Sequence, residues 1–502
     1  MSDAAGDPQI GGLRRSALKG AFVTGLAQVV KVAVQFGSVI VLSRLLAPGD
    51  FGLLAMVTPI YGLASIFRDL GLSHATVQSS EIGPAQSNAL FWLNIAMGLL
   101  LAVPLIFGAP IVGWFYGDDR VVGLTRGFAV LIVIMAAGAQ QMSLLNRNMR
   151  FGFLAGLDAF SALSGFLAAA LLAGVFRSYW ALFAGMAVSV ATGVVGAWIG
   201  SDFVPGLPRW DSRVGRMVQL GAGITGYNVF TFIARNLDSV LIGRVWGDAS
   251  LGLYDRANRF LMFPLLQINA PLARVMLPVL ARLRTDGERY RSAYLRAANQ
   301  LLLVTQPGIV FALACADILI PMLLGEKWRG VVPIFQWMGL AAVVQPFSLT
   351  MNWLFISQGK GGAFSWFGAF NAATCTLAFC AGLPWGPIGV AAAYSISQVL
   401  LRPPMAFWMA TRTGPVRLGD LYGVAAAHGA ASAVAFAVIV IVRRSVALDG
   451  IPALMSLFCL SYAVSVLVVV LTPSGRTAMR ESLSVAAALV SPMMGGVWAR
   501  RT

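Results

Sequence analysis

Residues 22–55, FVTGLAQVVKVAVQFGSVIVLSRLLAPGDFGLLA, and residues 222–255, AGITGYNVFTFIARNLDSVLIGRVWGDASLGLYD, lie two hundred positions apart and share their punctuation. In each, an apolar run of membrane length ends in a short polar turn and a second apolar run begins. Arg44 overlies Arg244, Gly52 overlies Gly252 and Leu53 overlies Leu253. Each first run also carries polar residues at helical spacing: Thr24, Gln28, Lys31, Gln35 and Ser38 in one copy, Asn228, Thr231, Arg235 and Asp238 in the other. Spacings of three and four put such a set on one helical face. Both turns fall on the same side of the membrane, so the repeat is parallel, related by an axis along the membrane normal. The simplest geometry that satisfies both stripes is a water-filled, positively lined cavity between two lobes.

Composition leaves no soluble alternative. Of 502 residues, 58% are hydrophobic and only 11% are charged, against roughly 25% charged in an ordinary soluble protein. Mean hydropathy is +0.78. There is too little polar surface here to cover so much apolar volume. At about 20 apolar residues per crossing, plus loops, the chain holds about 14 transmembrane helices. The expected fold is therefore an all-α polytopic membrane protein: two parallel-repeat six-helix lobes plus two extra helices. Residues 1–200 form the N-terminal lobe (spans 1–6), 201–216 a cytoplasmic linker and 217–411 the C-terminal lobe (spans 7–12). Residues 412–502 hold two additional spans and a cytoplasmic tail. Within that tail, 481–498 is read as interfacial.

The net charge of +16 would suggest nucleic acid in a soluble protein. Here it follows from loop composition. With the N-terminus inside, inner segments carry about 21 Lys and Arg and outer loops about 8, the bias of a membrane protein with both termini cytoplasmic. No extramembrane domain is large enough to bind nucleic acid. The basic amphipathic stretch 280–297, LARLRTDGERYRSAYLRA, is expected to lie on the anionic lipids of the inner leaflet. Four cysteines (Cys315, Cys375, Cys380, Cys459) and two histidines give no metal spacing, so no cofactor, metal or disulfide is expected. The N-terminal segment does not read as a cleavable signal.

A charge at mid-bilayer costs about 2.5–3.5 kcal/mol on insertion scales, so each needs a partner or a purpose. Arg235 and Asp238 stand at i,i+3 and can pair. Lys31 has no carboxylate within a turn; Gln28 and Gln35 can hydrogen-bond it without neutralising it. That marks Lys31 as a ligand for an anion. Asp255 and Arg259 form an i,i+4 pair, and Arg256 is left over. Arg68 and Arg274 are expected to snorkel to the interface. Asp158, Arg402 and His428 are single polar residues within spans; His428 receives no role, and Asp158, like Asp238, is a conceivable proton or sodium site. Pro264, Pro271 and Pro278 recur every seven residues on nearly one face, where they would curve or gate the helix.

Residues 226–297 resemble the flippase family for lipid-linked oligosaccharides, the polysaccharide-transporter branch of the multidrug/oligosaccharidyl-lipid/polysaccharide exporter superfamily. The motifs are Arg235-Asn236-Leu237-Asp238, Ile242-Gly243-Arg244, Leu251-Gly252-Leu253-Tyr254 and Pro278-Val279-Leu280-Ala281-Arg282; LSRLLAPGDFGLLA (42–55) and FRDLGLSHATVQ (67–78) match as well. The resemblance implies translocation of polyprenyl-pyrophosphate-linked sugars across the bacterial inner membrane, for O-antigen, capsule or exopolysaccharide. It carries over Arg235 and Asp238, with Arg256 and Arg259 after the Tyr254 motif. Lys31, Arg235, Arg256 and Arg259 are then the candidates for binding the anionic headgroup. Gln28, Gln35, Asn228, Asp238 and Asp255 are the candidate polar or coupling groups. The expected partners are the lipid-linked oligosaccharide, anionic membrane lipids and polysaccharide polymerase or export machinery.

Two other readings stand beside this one. A cation-coupled drug or metabolite antiporter of the same superfamily would share the architecture. Its organic-cation substrates favour an acidic, aromatic cavity, and these charges run the other way. A membrane polymerase, ligase or glycosyltransferase would present a large outer loop or a carboxylate/His set, and neither is visible. Nucleotide-binding and nucleophile-elbow motifs are absent, so the chain is expected to be a transporter without enzymatic or ATPase activity.

Overall fold

A computed structural model of the chain describes residues 8–69, 76, 82–208, 212–445, 450–471 and 476; of residues 8–24, 69, 212–228, 230, 231, 234 and 270 it describes the backbone alone. The stretch 481–498 and most of 67–78 lie outside the described residues. Among those described, every regular element is helical. Eleven helices are long and apolar enough to cross a membrane. One of them, Gly361–Thr411, is 51 residues long and turns at Leu383–Trp385, enough for two crossings. The 71-residue Ser212–Arg282 also breaks, at Gly247 (φ 78, ψ −174), a conformation that only glycine adopts without strain. With the bent pair Arg235–Asn269 and Pro271–Arg282 counted as one further span, the described residues hold up to twelve, against the fourteen expected. The protein is a multi-pass membrane protein.

The chain divides into two compact units, Met1–Asp255 with Leu323–Trp328, and Arg256–Met322 with Arg329–Thr502. Unit 1 holds α1 (Pro8–Leu45), α2 (Pro48–Asp69), α3 (Pro84–Tyr116), α4 (Arg120–Arg147), α5 (Phe151–Phe176), α6 (Tyr179–Gly200), α7 (212–246) and the first turns of α8 (248–282). Local chemistry sets the helix ends. At the start of α3, Pro84 follows Gly83, whose N–H donates to Gln86 Oε1 at 3.1 Å. At its end Gly117 is left-handed (φ 70) and donates to the Gly113 carbonyl. The next turn is held by Arg120, which bridges Asp118 (2.6 Å) and Asp248 (2.8 Å). Its guanidinium holds the Asp118 carboxyl below the usual carboxylate range.

Small residues let these helices approach closely, as membrane packing requires. In α5 and α6, a Cβ on Gly165 would meet the Gly185 carbonyl at 2.6 Å, and one on Gly185 would meet the Gly165 carbonyl at 2.7 Å. The same reciprocity joins the two copies of the sequence repeat. A Cβ on Gly52 would collide with the Asp248 carbonyl, and one on Gly252 with the Pro48 carbonyl. The two helix starts therefore cross backbone to backbone, at the glycines that the alignment superposes.

The end of α1 is capped from far along the chain. Trp328 Nε1 donates to the Ser43 carbonyl at 2.7 Å and Lys327 Nζ to the Arg44 carbonyl at 3.0 Å. Arg44 Nε donates back to the Leu323 carbonyl at 3.1 Å, and the Trp328 ring stands edge-on to Phe51. Carbonyls left open at a helix terminus are satisfied in this way. Burial lowers the pKa of the Lys327 ammonium.

Unit 2 holds the rest of α8, α9 (Gly287–Ala314), α10 (Ala316–Leu324) as far as Met322, α11 (Val331–Ser357), α12 (Gly361–Gly382), α13 (Gly386–Leu400), α14 (Arg402–Thr411), α15 (Leu418–Ser445) and α16 (Gly450–Leu471). Its core joins Tyr290, Tyr294, Trp353, Leu354, Phe355 and Phe407. The buried hydroxyls are partnered: Tyr290 with Ser357 (2.6 Å) and Tyr294 with Thr350 (2.9 Å). The basic stretch 280–297 is helical on both sides of a short turn, because Asp286 caps α9 by accepting from the Arg289 N–H. Arg282, Arg284, Arg289, Arg291, Lys360, Arg412 and Arg417 stand at the end where α9, α12 and α15 begin. Arg329, Arg443 and Arg444 stand at the opposite end. His428 is buried against Asn299 Oδ1 at 3.0 Å, a structural role. Arg402 is buried as well. It hydrogen-bonds Gln398 and Ser397 and lies over the Tyr394 ring.

Candidate functional site: a polar cavity in unit 1

A cavity of about 570 Å³ opens inside unit 1, walled by α1, α2, α4, α5 and α6. That volume falls within the roughly 300–1,000 Å³ of small-molecule sites. Lys31 and Gln35 enter it from α1, Arg68 from α2, Ser143 and Asn146 from α4, Asp158 and Ser161 from α5, and Ser189 and Gly193 from α6. Lys31 lies fourteen residues before Leu45, about 21 Å along the helix at 1.5 Å per residue. Asp158 lies seven residues, about 10 Å, from the Phe151 end of α5. The cavity therefore sits at bilayer depth, toward the membrane face where α2 and α4 end.

Lys31 Nζ donates to Asp158 Oδ2 at 2.9 Å. The two side chains remain 30% and 52% exposed, so the pair stands in the open part of the cavity. Sequence alone gives Lys31 no counter-ion; the fold supplies one 127 residues away. Such half-exposed pairs contribute about 0–1 kcal/mol, so a ligand can compete for either partner. The Ser161 hydroxyl is buried in the wall and has no hydrogen-bond partner among the described residues. It faces Gly193, whose Cβ would stand 3.5 Å from Ser161 Oγ. Arg68, expected at the interface, is buried in the cavity wall instead.

The other candidate residues are placed as follows. Gln28 is exposed on α1 and does not line the cavity. Asn228 lies outside the described side chains. Arg235 is exposed. The expected Arg235–Asp238 pair gives way to a different arrangement. Asp238 is buried and accepts from Tyr254 Oη at 2.9 Å and from the Ser239 N–H at 2.7 Å. Arg235 is exposed whereas Asp238 is buried, and the motif tyrosine reaches the carboxylate from α8. Asp255 and Arg256 are half-buried, and Arg259 and Arg274 are exposed. Sequence reasoning missed Asp158, Ser161 and Arg68 as cavity residues. Asp158 had one available signal, a carboxylate in an otherwise apolar helix. Ser161 had none, because a serine in a membrane helix is ordinary until its wall is known.

Comparison with known proteins gives the family. The model of a family described as polysaccharide biosynthesis protein matches residues 41–333, more than half of the 502. The lipopolysaccharide biosynthesis protein WzxC of Escherichia coli K12 is 22% identical over 391 residues, covering 77% of this chain and 80% of that protein. The succinoglycan biosynthesis transport protein ExoT of Rhizobium meliloti is 26% identical, covering 71% and 72%. Among solved structures, the lipid II flippase MurJ in an inward closed conformation superposes with a TM-score of 0.72 at 14% identity, covering 90% of this chain and 98% of its own. An inward-facing multidrug resistance MATE family transporter of the MOP superfamily gives 0.58 at 14% identity, covering 78% and 96%. At such identities the two structures establish the fold.

Proposed function

This chain belongs to the polysaccharide biosynthesis protein family, and from that we propose that it is a flippase. It carries polyprenyl-pyrophosphate-linked oligosaccharide across the bacterial inner membrane by alternating access, for export as O-antigen, capsule or exopolysaccharide. It is a transporter and not an enzyme. The family match over residues 41–333 carries the reading. A polar, cation-bearing cavity at bilayer depth supports it, since a charged headgroup cannot cross about 30 Å of hydrocarbon unaided. Lys31, Arg235, Arg256 and Arg259 are the residues proposed to meet the headgroup, with arginine offering a bidentate fork to phosphate. Both termini are proposed to be cytoplasmic. The basic end of unit 2 would then rest on anionic inner-leaflet lipids, and polymerase or export machinery would take over the substrate outside. An organic-cation antiporter is disfavoured, because Lys31 and Arg68 outnumber Asp158 in the cavity. The test is complementation of a strain lacking the chain. Lys31→Gln, Arg235→Gln and Arg256→Gln should each abolish surface polysaccharide while the protein stays at wild-type level. Full function in all three would refute the headgroup assignment.

A further inference from the structure

The headgroup of such a substrate has two chemically different parts, and the cavity of unit 1 suits only one of them. A diphosphate is anionic and accepts hydrogen bonds; its site needs donors and positive charge with no carboxylate in reach. This cavity instead presents Asp158, half-exposed, with Lys31 already donating to it. Of the other groups in the cavity, Ser161, Ser189, Gln35 and Asn146 each both donate and accept, and Arg68 only donates. A sugar hydroxyl likewise donates one hydrogen bond and accepts two. Neighbouring ring hydroxyls can take Lys31 and Asp158 together, one accepting from the ammonium and one donating to the carboxylate. The Ser161 hydroxyl, buried in the wall beside Gly193, has no hydrogen-bond partner among the described residues and is proposed as a third contact once the wall admits a ring hydroxyl.

We propose that this cavity is a subsite for one sugar residue of the lipid-linked substrate, and that the diphosphate is held elsewhere. The proposal rests on the flippase reading and reassigns Lys31 from the phosphates to the sugar. Gly193 sets the room available. An alanine methyl there meets Ser161 Oγ at 3.5 Å and Met142 Cε at 4.0 Å, ordinary contacts, whereas a longer side chain enters the cavity.

Full-length protein in nanodiscs would be titrated with polyprenyl pyrophosphate, and with the same lipid bearing a single glucose, galactose or N-acetylglucosamine. Tryptophan fluorescence gives the affinity. At least one sugar-bearing lipid should bind wild type about tenfold more tightly than the bare lipid, since one hydrogen bond to a charged group is worth that much. Asp158→Asn, Ser161→Ala and Gly193→Leu should each reduce that gain, while affinity for bare polyprenyl pyrophosphate is kept; Gly193→Ala should leave the gain intact. The serine and alanine variants change little volume and keep the test interpretable if the leucine variant fails to fold. A subsite for sugar is overturned if no sugar-bearing lipid gains on the bare one, or if the variants weaken both lipids alike. Failure of wild type to bind any of these lipids would instead overturn the flippase reading, and the subsite with it.

Discussion

Replacing Gly252 with alanine places a methyl group against the Pro48 carbonyl, and replacing Gly52 does the same at the Asp248 carbonyl. Both obstacles are backbone, so no rotamer change relieves the clash and the two helix starts must part. Overpacking a close contact costs about 1–3 kcal/mol. With rigid atoms on both sides, the upper end of that range applies. Alanine's better helix propensity offsets about 1 kcal/mol. Each single variant should therefore lose about 2 kcal/mol of stability. The two glycines share one crossing, so the second methyl enters a gap the first has already opened. The double variant should lose about 2–3 kcal/mol rather than about 4, a coupling of about 1–2 kcal/mol. Gly108 in α3 is the control: nothing stands within 4 Å of a Cβ there. Gly108→Ala should be neutral or stabilise by up to about 1 kcal/mol. Denaturation of the detergent-solubilised protein, followed by tryptophan fluorescence, reads all four variants. A Gly252→Ala protein as stable as wild type, or strictly additive losses, would refute the crossing.

Tyr254→Phe should destabilise by about 1–3 kcal/mol, because it removes a donor from buried Asp238; Arg235→Gln should leave stability unchanged, and equal losses in both would restore the Arg235–Asp238 pair. Trp328→Phe keeps the ring beside Phe51 but strands the Ser43 carbonyl, and thermal denaturation should show a loss of about 1–3 kcal/mol. Because the Asp118 carboxyl is held low in the fold, its contribution to stability is present above the ordinary carboxylate pKa and lost as the pH falls through the folded value. Arg120→Gln should flatten that acid limb, and an unchanged pH profile would count against the bridge. Cys315 is buried and its thiol is pushed up to about 11, so in a variant retaining it alone it should resist maleimide at pH 7.5 until the protein is denatured.

Much of the architecture was legible because membrane helices announce themselves by length and composition. The offset-200 repeat was visible in three coincident positions, and one of them, Gly52 over Gly252, is where the copies touch. What sequence could not supply were partners across tertiary distance. Lys31 looked unneutralised because its counter-ion lies on α5, and Arg235 looked paired because Asp238 is near in the chain, although Asp238 is buried and taken up by Tyr254. Arg68 looked like a surface anchor, since its burial depends on the neighbouring helices. The charge asymmetry of the loops needed no tertiary information and could be read directly.

Pro48 and Asp248 are equivalents two hundred residues apart, as are Gly52 and Gly252, and each glycine meets the other copy's carbonyl. A contact in which i meets j and j meets i is the isologous contact of a twofold dimer. Both sides of the contact hold the one residue without a side chain, so a methyl on either side meets the backbone of the other copy.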